Sequence, residues 1–404
     1  MLPTLSNRIK ALDLLRGIAI LGILLANIKI FASPVASELV MFVPASQDTW
    51  LDAVLAVVVT GKFRSMLAIL FGVGIFLQYR KRSQTPGNWP AGYFKRAGYL
   101  CLIGFVHAIL IWWGDILFLY SLLAFATCLL ASLSSKVLWW IIGALGTFTL
   151  LLSGFVVLVT TFAPGTSEAP EGLMAMFTAK NEIAVHAHGT WLEQLQFRGV
   201  MFVLNALSAT MMVPLILPLF VLGLLVGRDD VLRAPSRHPR WRNLCLWIGF
   251  GVGLPLNLLA LFAFARGWLF EFTLMQEFVL APILALGYLM LGAIWAESGK
   301  LSAIASALAK VGQVALTSYL MQSVLATFVF YSWGLGLFGH VSTAQSLGVV
   351  AAIWTANIIF AQLWLAKFDI GPVEWVWRSL TEGRRQPWRA VAAPPAAPPP
   401  TFDL

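Results

Sequence analysis

Runs of about 20 mostly apolar residues, the length that crosses about 30 Å of hydrocarbon as a helix, recur along the chain. They fall at 11–31, 51–80, 96–113, 115–132, 137–161, 207–227, 243–265, 273–296, 313–331 and 345–366. This pattern predicts an all-α, polytopic integral membrane protein with about ten transmembrane helices. At least one helix is expected to be broken. The run 51–80 is too long for a plain span, and Thr60–Arg64 interrupts it, leaving an arm at 51–60 and a main crossing at 65–80. Non-helical backbone at that depth is tolerated only against protein or water.

Composition agrees with that pattern. Of 404 residues, 59% are hydrophobic and 11% charged, against about 45–50% and about 25% in soluble domains. The excess must face lipid, and disorder, a collagen and a disulfide scaffold are excluded. Cys101, Cys128 and Cys245 all lie in apolar runs, as small core-filling residues do. The first run follows Arg8 and Lys10 as a signal peptide would, but Asp13 and Arg16 inside it and the spans behind it favour a retained helix. Gly72 and Gly74 read as helix-packing glycines, since no strand-turn-helix unit surrounds them.

The formal charge of +9 reads as a topology signal once the charges are placed. With the N-terminus inside, twenty Lys and Arg fall in cytoplasmic segments, whereas Lys29, Lys180, Arg198 and Arg266 are the four outside. That is the positive-inside bias, and it leaves nucleic acid without support as a partner. Both termini are expected in the cytoplasm. The expected organisation is a five-helix half at 1–161, an external amphipathic segment at 162–206, a second five-helix half at 207–381 and an Ala/Pro-rich disordered cytoplasmic tail at 382–404.

Ionisable groups inside spans are costly and therefore candidates for function. Asp13, Arg16 and Asn27 fall on one face of the first helix, either as an Asp–Arg pair near the interface or as an anion contact. Lys62 and Arg64 sit towards the external side, snorkelling or lining a cavity. His107 is the sharpest candidate. Counted from Arg96 it lies about 16 Å into the membrane, with Trp113, Asp115 and Tyr120 following. Imidazole suits a general base near neutral pH, and a carboxylate would fix its tautomer. Spacing alone does not decide whether His107 and Asp115 touch. The Trp112–Asp115 stretch reads as an external turn, and His186 and His188 read as a surface pair with no metal site. Ser318, Tyr319 and Gln322, with Ser323 beside them, either glue helices or complete a cavity. Glu374 and Arg378 read as an i,i+4 pair in an interfacial anchor.

Five stretches together resemble the YeiB family of bacterial inner-membrane proteins. They are R-I-x-A-L-D-L-L-R-G from Arg8, G-K-F-R-S-M-L-A-I-L-F-G-V-G from Gly61, G-F-V-H-A-I-L-I-W-W-G-D-I-L-F-L-Y from Gly104, G-Q-V-A-L-T-S-Y-L-M-Q-S from Gly312 and F-D-I-G-P-V-E-W-V-W-R-S-L-T from Phe368. The C-terminal half resembles that family's domain of unknown function. The N-terminal half is similar to the transmembrane acyltransferase superfamily, which includes the lysosomal heparan glucosaminide N-acetyltransferase. That resemblance implies a membrane-embedded acyltransferase of the bacterial inner membrane. It would use cytoplasmic acyl-CoA, acetyl-CoA foremost, on a hydroxyl or amine acceptor at the external face. The resemblance puts His107 at the catalytic centre and maps the L-D-x-x-R-G motif to Asp13, Arg16 and Gly17. The reading of the residues adds Asp115 as a second catalytic group, Asn27 beside Asp13 and Arg16 toward the acyl-CoA, and Lys62, Arg64, Trp113, Tyr120, Ser318, Tyr319 and Gln322 toward the substrate. Expected partners are membrane lipid and a small-molecule or glycan acceptor, with a homo-oligomer left open. The alternative reading is a secondary transporter of a small anionic or amphipathic solute.

Overall fold

A computed structural model describes residues 10–34, 49–85, 88–162, 178–265, 275–300 and 302–389. The tail from Ala390 and the Glu168–Phe177 part of the amphipathic segment lie outside them. The described residues form helices and connecting turns, with no strand among them. The protein is an all-α multi-pass membrane protein. Among the described residues seven helices are long and apolar enough to span, and an eighth if one bent pair counts as a single crossing. Ten spans are therefore not confirmed.

Helix α1 (Lys10–Ala32) is the central element. Around it stand α3 (Lys62–Arg82), α11 (Ala281–Ser298), α12 (Ser302–Gln313), α13 (Ala315–Phe330) and α14 (Thr343–Leu365). Contact with α12 is backbone to backbone. A Cβ at Gly312 would meet the Asp13 carbonyl oxygen at 1.8 Å, and one at Gly17 the Leu308 oxygen at 2.0 Å. Helix α3 is packed most extensively against the long α8 (Trp191–Arg228) through Gly72 and Gly223, whose added Cβ atoms would fall 2.0 Å and 2.1 Å from carbonyl oxygens across the interface. Small residues at these positions let helices approach without the help of a hydrophobic driving force, as membrane bundles require. Helix α6 (Ser135–Phe162) instead turns outward, with Trp140, Leu151 and Phe155 more than half exposed, as a lipid-facing surface would be.

The break in the second span is present. Helix α2 (Thr49–Val58) ends before Gly61, whose φ of 77° lies in the left-handed region that favours glycine. The freed backbone is satisfied from neighbouring elements: Lys62 Nζ and Gln276 Nε2 donate to the Ala56 oxygen, and Tyr288 Oη donates to that of Val58. A second break went unread in the sequence, an 85° bend between α12 and α13 at Val314.

The expected spans 96–113 and 115–132 form α4 (Ala91–Leu110) and the 14-residue α5 (Leu117–Leu130), neither among the seven. The turn between them is half-buried, with Trp112 its fully buried residue. Trp112 is 1% exposed and stacks on Phe31 at 3.9 Å. Because the chain reverses inside the bundle, α5 is left with only about 21 Å of length.

The candidate active site

His107 occupies the last turn of α4, and Asp115 lies on the turn leading to α5. The two meet: His107 Nδ1 and Asp115 Oδ2 are 2.7 Å apart, with both side chains 1% exposed. The other carboxylate oxygen accepts the Phe118 backbone N–H at 2.7 Å, which ties Asp115 to the start of α5. Gly104 makes this approach possible. A Cβ there would sit 2.5 Å from Phe118 N and 2.9 Å from Asp115 Oδ1. Tyr319 of α13 completes the group from the other half of the chain. Its hydroxyl donates to Asp115 at 3.4 Å and accepts from Ile116 N at 3.3 Å, and its ring centroid lies 5.2 Å from that of His107. With Asp115 ionised, Nδ1 is the donor of the dyad. Nε2 then carries the lone pair, and it is buried with no hydrogen-bond partner among the described residues.

Two contiguous cavities lead to this group. The first, about 540 Å³, is polar, with Lys81, Arg82, Arg96 and Arg378 on its walls beside the carboxyl groups of Asp369, Glu374 and Glu382. The second, about 430 Å³, is lined mainly by apolar side chains and includes Arg16, Leu100, Ile116, Leu117 and Tyr319. Gln78, Arg96, Gln313, Glu374 and Trp377 line both. The path therefore runs from a cationic mouth at the Arg96 end of α4 to the residues flanking Asp115. Amphipathic α15 (Pro372–Glu382) roofs the mouth. Trp377 donates to the Arg96 carbonyl at 2.9 Å and stacks on its guanidinium, and Glu382 pairs with Arg82 at 3.1 Å.

The other sequence candidates divide. Arg16 is on the cavity wall and pairs with buried Asp13 at 3.6 Å; Asn27 is half-buried and not on that wall. Lys62 is fully buried against the Ala56 carbonyl, and Arg64 pairs with Glu277 at 2.9 Å, so both support the broken span and neither lines the cavities. Tyr120 donates to the Arg64 carbonyl at 2.7 Å, and Trp113 offers its own carbonyl to Asn205. Ser318 and Gln322 are buried, and Ser318 Oγ and Gln322 Nε2 have no partner among the described residues. Glu374 does not depend on Arg378. It accepts the backbone N–H groups of Leu316 and Thr317 and the Thr317 hydroxyl, capping α13. Burial raises its carboxyl above the usual range. His186 is also not a surface residue, being 1% exposed and stacked on Tyr331 at 4.5 Å.

Sequence reasoning missed the cationic mouth, because Lys81, Arg82, Arg96 and Arg378 had already been explained by topology. It also missed Arg198, a fully buried side chain that donates to the Ile109 carbonyl at the end of α4. A charged residue in a segment rich in aromatics was the available signal.

The family described as "Protein of unknown function (DUF418)" matches residues 226–384, which hold Tyr319 and Glu374 but not the His107–Asp115 pair. "Uncharacterized protein YxaH" of Bacillus subtilis (strain 168) is 29% identical over 95% of this chain and 97% of its own. "Uncharacterized protein YeiB" of Escherichia coli (strain K12) is 33% identical over 92% of this chain and 95% of its own. Identity of that extent along nearly the whole of both chains places this protein in the YeiB family of DUF418-containing membrane proteins.

Proposed function

We propose that the protein is an inner-membrane acyltransferase that takes acyl groups, acetyl foremost, from cytoplasmic acyl-CoA to a hydroxyl or amine acceptor. The observation that carries this reading is the path from a mouth lined by Lys81, Arg82, Arg96 and Arg378 through an apolar passage to Tyr319 and Ile116, which adjoin the buried His–Asp pair. Acyl-CoA has a matching sequence of parts: a phosphate-bearing head for Lys81, Arg82, Arg96 and Arg378, and a long thin arm for the apolar passage. It brings an activated thioester. The chain's own residues do the rest. Asp115 holds the imidazole in the Nδ1–H tautomer, and Nε2 accepts the acceptor's proton as its oxygen or nitrogen attacks the acyl carbon. The C–S bond breaks, and the imidazolium returns the proton to the departing CoA sulfur. Burial keeps water from competing for the acyl group. By the positive-inside rule, the Arg96 end of α4 faces the cytoplasm, with both termini on that side.

The test is release of free CoA from acetyl-CoA and longer acyl-CoAs by purified protein in lipid. Release is expected, and His107→Ala should lower it by about 10²–10⁴-fold. Absence of release from every acyl-CoA, or a rate unchanged by His107→Ala, would overturn the assignment. So would proteoliposomes that move a solute while consuming no thioester.

A further inference from the structure

A second buried polar cluster lies at the far end of α4 from the cationic mouth. Arg198 is 0% exposed, and its Nε donates to the Ile109 oxygen at 2.8 Å. Its Nη1 reaches Gln194 only at 3.5 Å, its guanidinium stacks over Trp191 at 4.7 Å, and Nη2 has no partner among the described residues. No carboxylate pairs with it among those residues. A buried cation without an ion-pair partner is costly, and one helix carbonyl offsets only part of that cost.

Two neighbours share the anomaly. The Tyr331 hydroxyl and His186 Nδ1 are buried and also lack partners among the described residues. His186 stacks on Tyr331 at 4.5 Å and meets Phe197 edge-on at 4.7 Å, and both His186 and Tyr331 feel the charge of Arg198. The buried carboxyl of Glu182 acts on Tyr331 but forms no ion pair with Arg198 among the described residues. Native proteins rarely leave such groups unsatisfied, and a set of them around Arg198 fits an absent anion. The Ile109 tether puts the cluster next to His107, about two residues further along α4.

We infer that Arg198, Tyr331 and His186 form a subsite for an anionic group, a carboxylate or phosphate monoester, carried by the acyl acceptor. The acceptor is then an acidic sugar or a phosphorylated polyol held on the opposite side of the dyad from the thioester. The role as acceptor rests on the acyl-transfer reading; anion binding as such does not.

Binding is measured on the full chain in lipid without acyl-CoA, titrating glucuronate, glycerol phosphate and uncharged glucose at equal ionic strength. One of the two anions should bind, and glucose should not. Arg198→Gln should weaken that binding by about 10-fold or more. If Arg198→Gln does not fold, Arg198→Lys and Tyr331→Phe decide, since each keeps the bulk of its site; both should still weaken binding severalfold. Wild-type protein that prefers neither anion to glucose, or variants that bind as wild type does, overturn the subsite. His107-dependent CoA release without anion binding overturns the subsite and leaves the transferase standing. Anion binding through Arg198 with no thioester consumed overturns the acceptor assignment.

Discussion

The two nitrogens of the His107 imidazole have different environments. Nδ1 is held by Asp115 at 2.7 Å, and Nε2 has no partner among the described residues. Asp115→Asn keeps the shape but can present the wrong tautomer, so CoA release should fall by about 10²-fold or more. Tyr319→Phe removes two long contacts, 3.4 Å to Asp115 and 3.3 Å from Ile116 N, and should cost less than about 10-fold, measured in the same assay. His186 offers a test of a different kind. Burial first, and then the charge of Arg198, lowers its pKa from 6.5 to about 3. Arg198, Tyr331 and the buried carboxyl of Glu182 are the charged or titratable groups around it. The folded protein therefore holds His186 neutral, while a released segment would protonate at its ordinary value. The docking of this segment is at full strength above pH 6.5 and weakens as pH falls towards 3, by about 1.4 kcal/mol per pH unit. Proteolysis near residues 178–190 should accelerate below pH 6.5, and His186→Phe should flatten that dependence.

Among the helices, glycines decide which ones touch. Gly104 brings the start of α5 against α4, so Gly104→Ala should push Asp115 away from His107 and abolish CoA release in a protein that still folds. Gly72→Ala acts elsewhere, driving a methyl into the Phe220 carbonyl of α8. Such overpacking costs about 1–3 kcal/mol and should lower the melting temperature, with smaller effect on the rate per folded molecule. The broken span was legible because Thr60–Arg64 interrupts an overlong apolar run. The bend at Val314 was not, because 302–313 with its Lys310 read as a polar segment ahead of the span 313–331, whereas it forms a helix of its own packed on α1.

Across the bundle, one end is cationic and the other is closed by aromatic side chains around Trp112, Tyr331 and Phe338. The charge asymmetry predicts sidedness. Ser83→Cys, at an exposed position, should be labelled by an impermeant thiol reagent only from the cytoplasm, and His340→Cys, also exposed, only from the opposite side. Exchange of the two sides would reverse the proposed orientation, and labelling of both from one side would dissolve it. The dyad draws on α4, its following turn and α13, and the passage to it on α1, α3 and α15 as well.

The order of residues along the chain was enough to specify the solvent of this protein, its helical class, the break near Gly61 and the pairing candidates His107 and Asp115. Each follows from local quantities: run length, hydropathy and the cost of an ionisable group in lipid. Packing in three dimensions was needed to turn α4 and α5 inside the bundle, and to assign Lys62 and Arg64 to the broken span while Arg96 and Arg378 line a cavity. It was needed too for Tyr319, over 200 residues away in the chain, to reach the carboxylate of Asp115. The reason is that hydropathy specifies how deep a side chain lies, but not which neighbour it meets there. That is set by the close approach of particular helices, and those approaches depend on pairs of residues far apart in sequence.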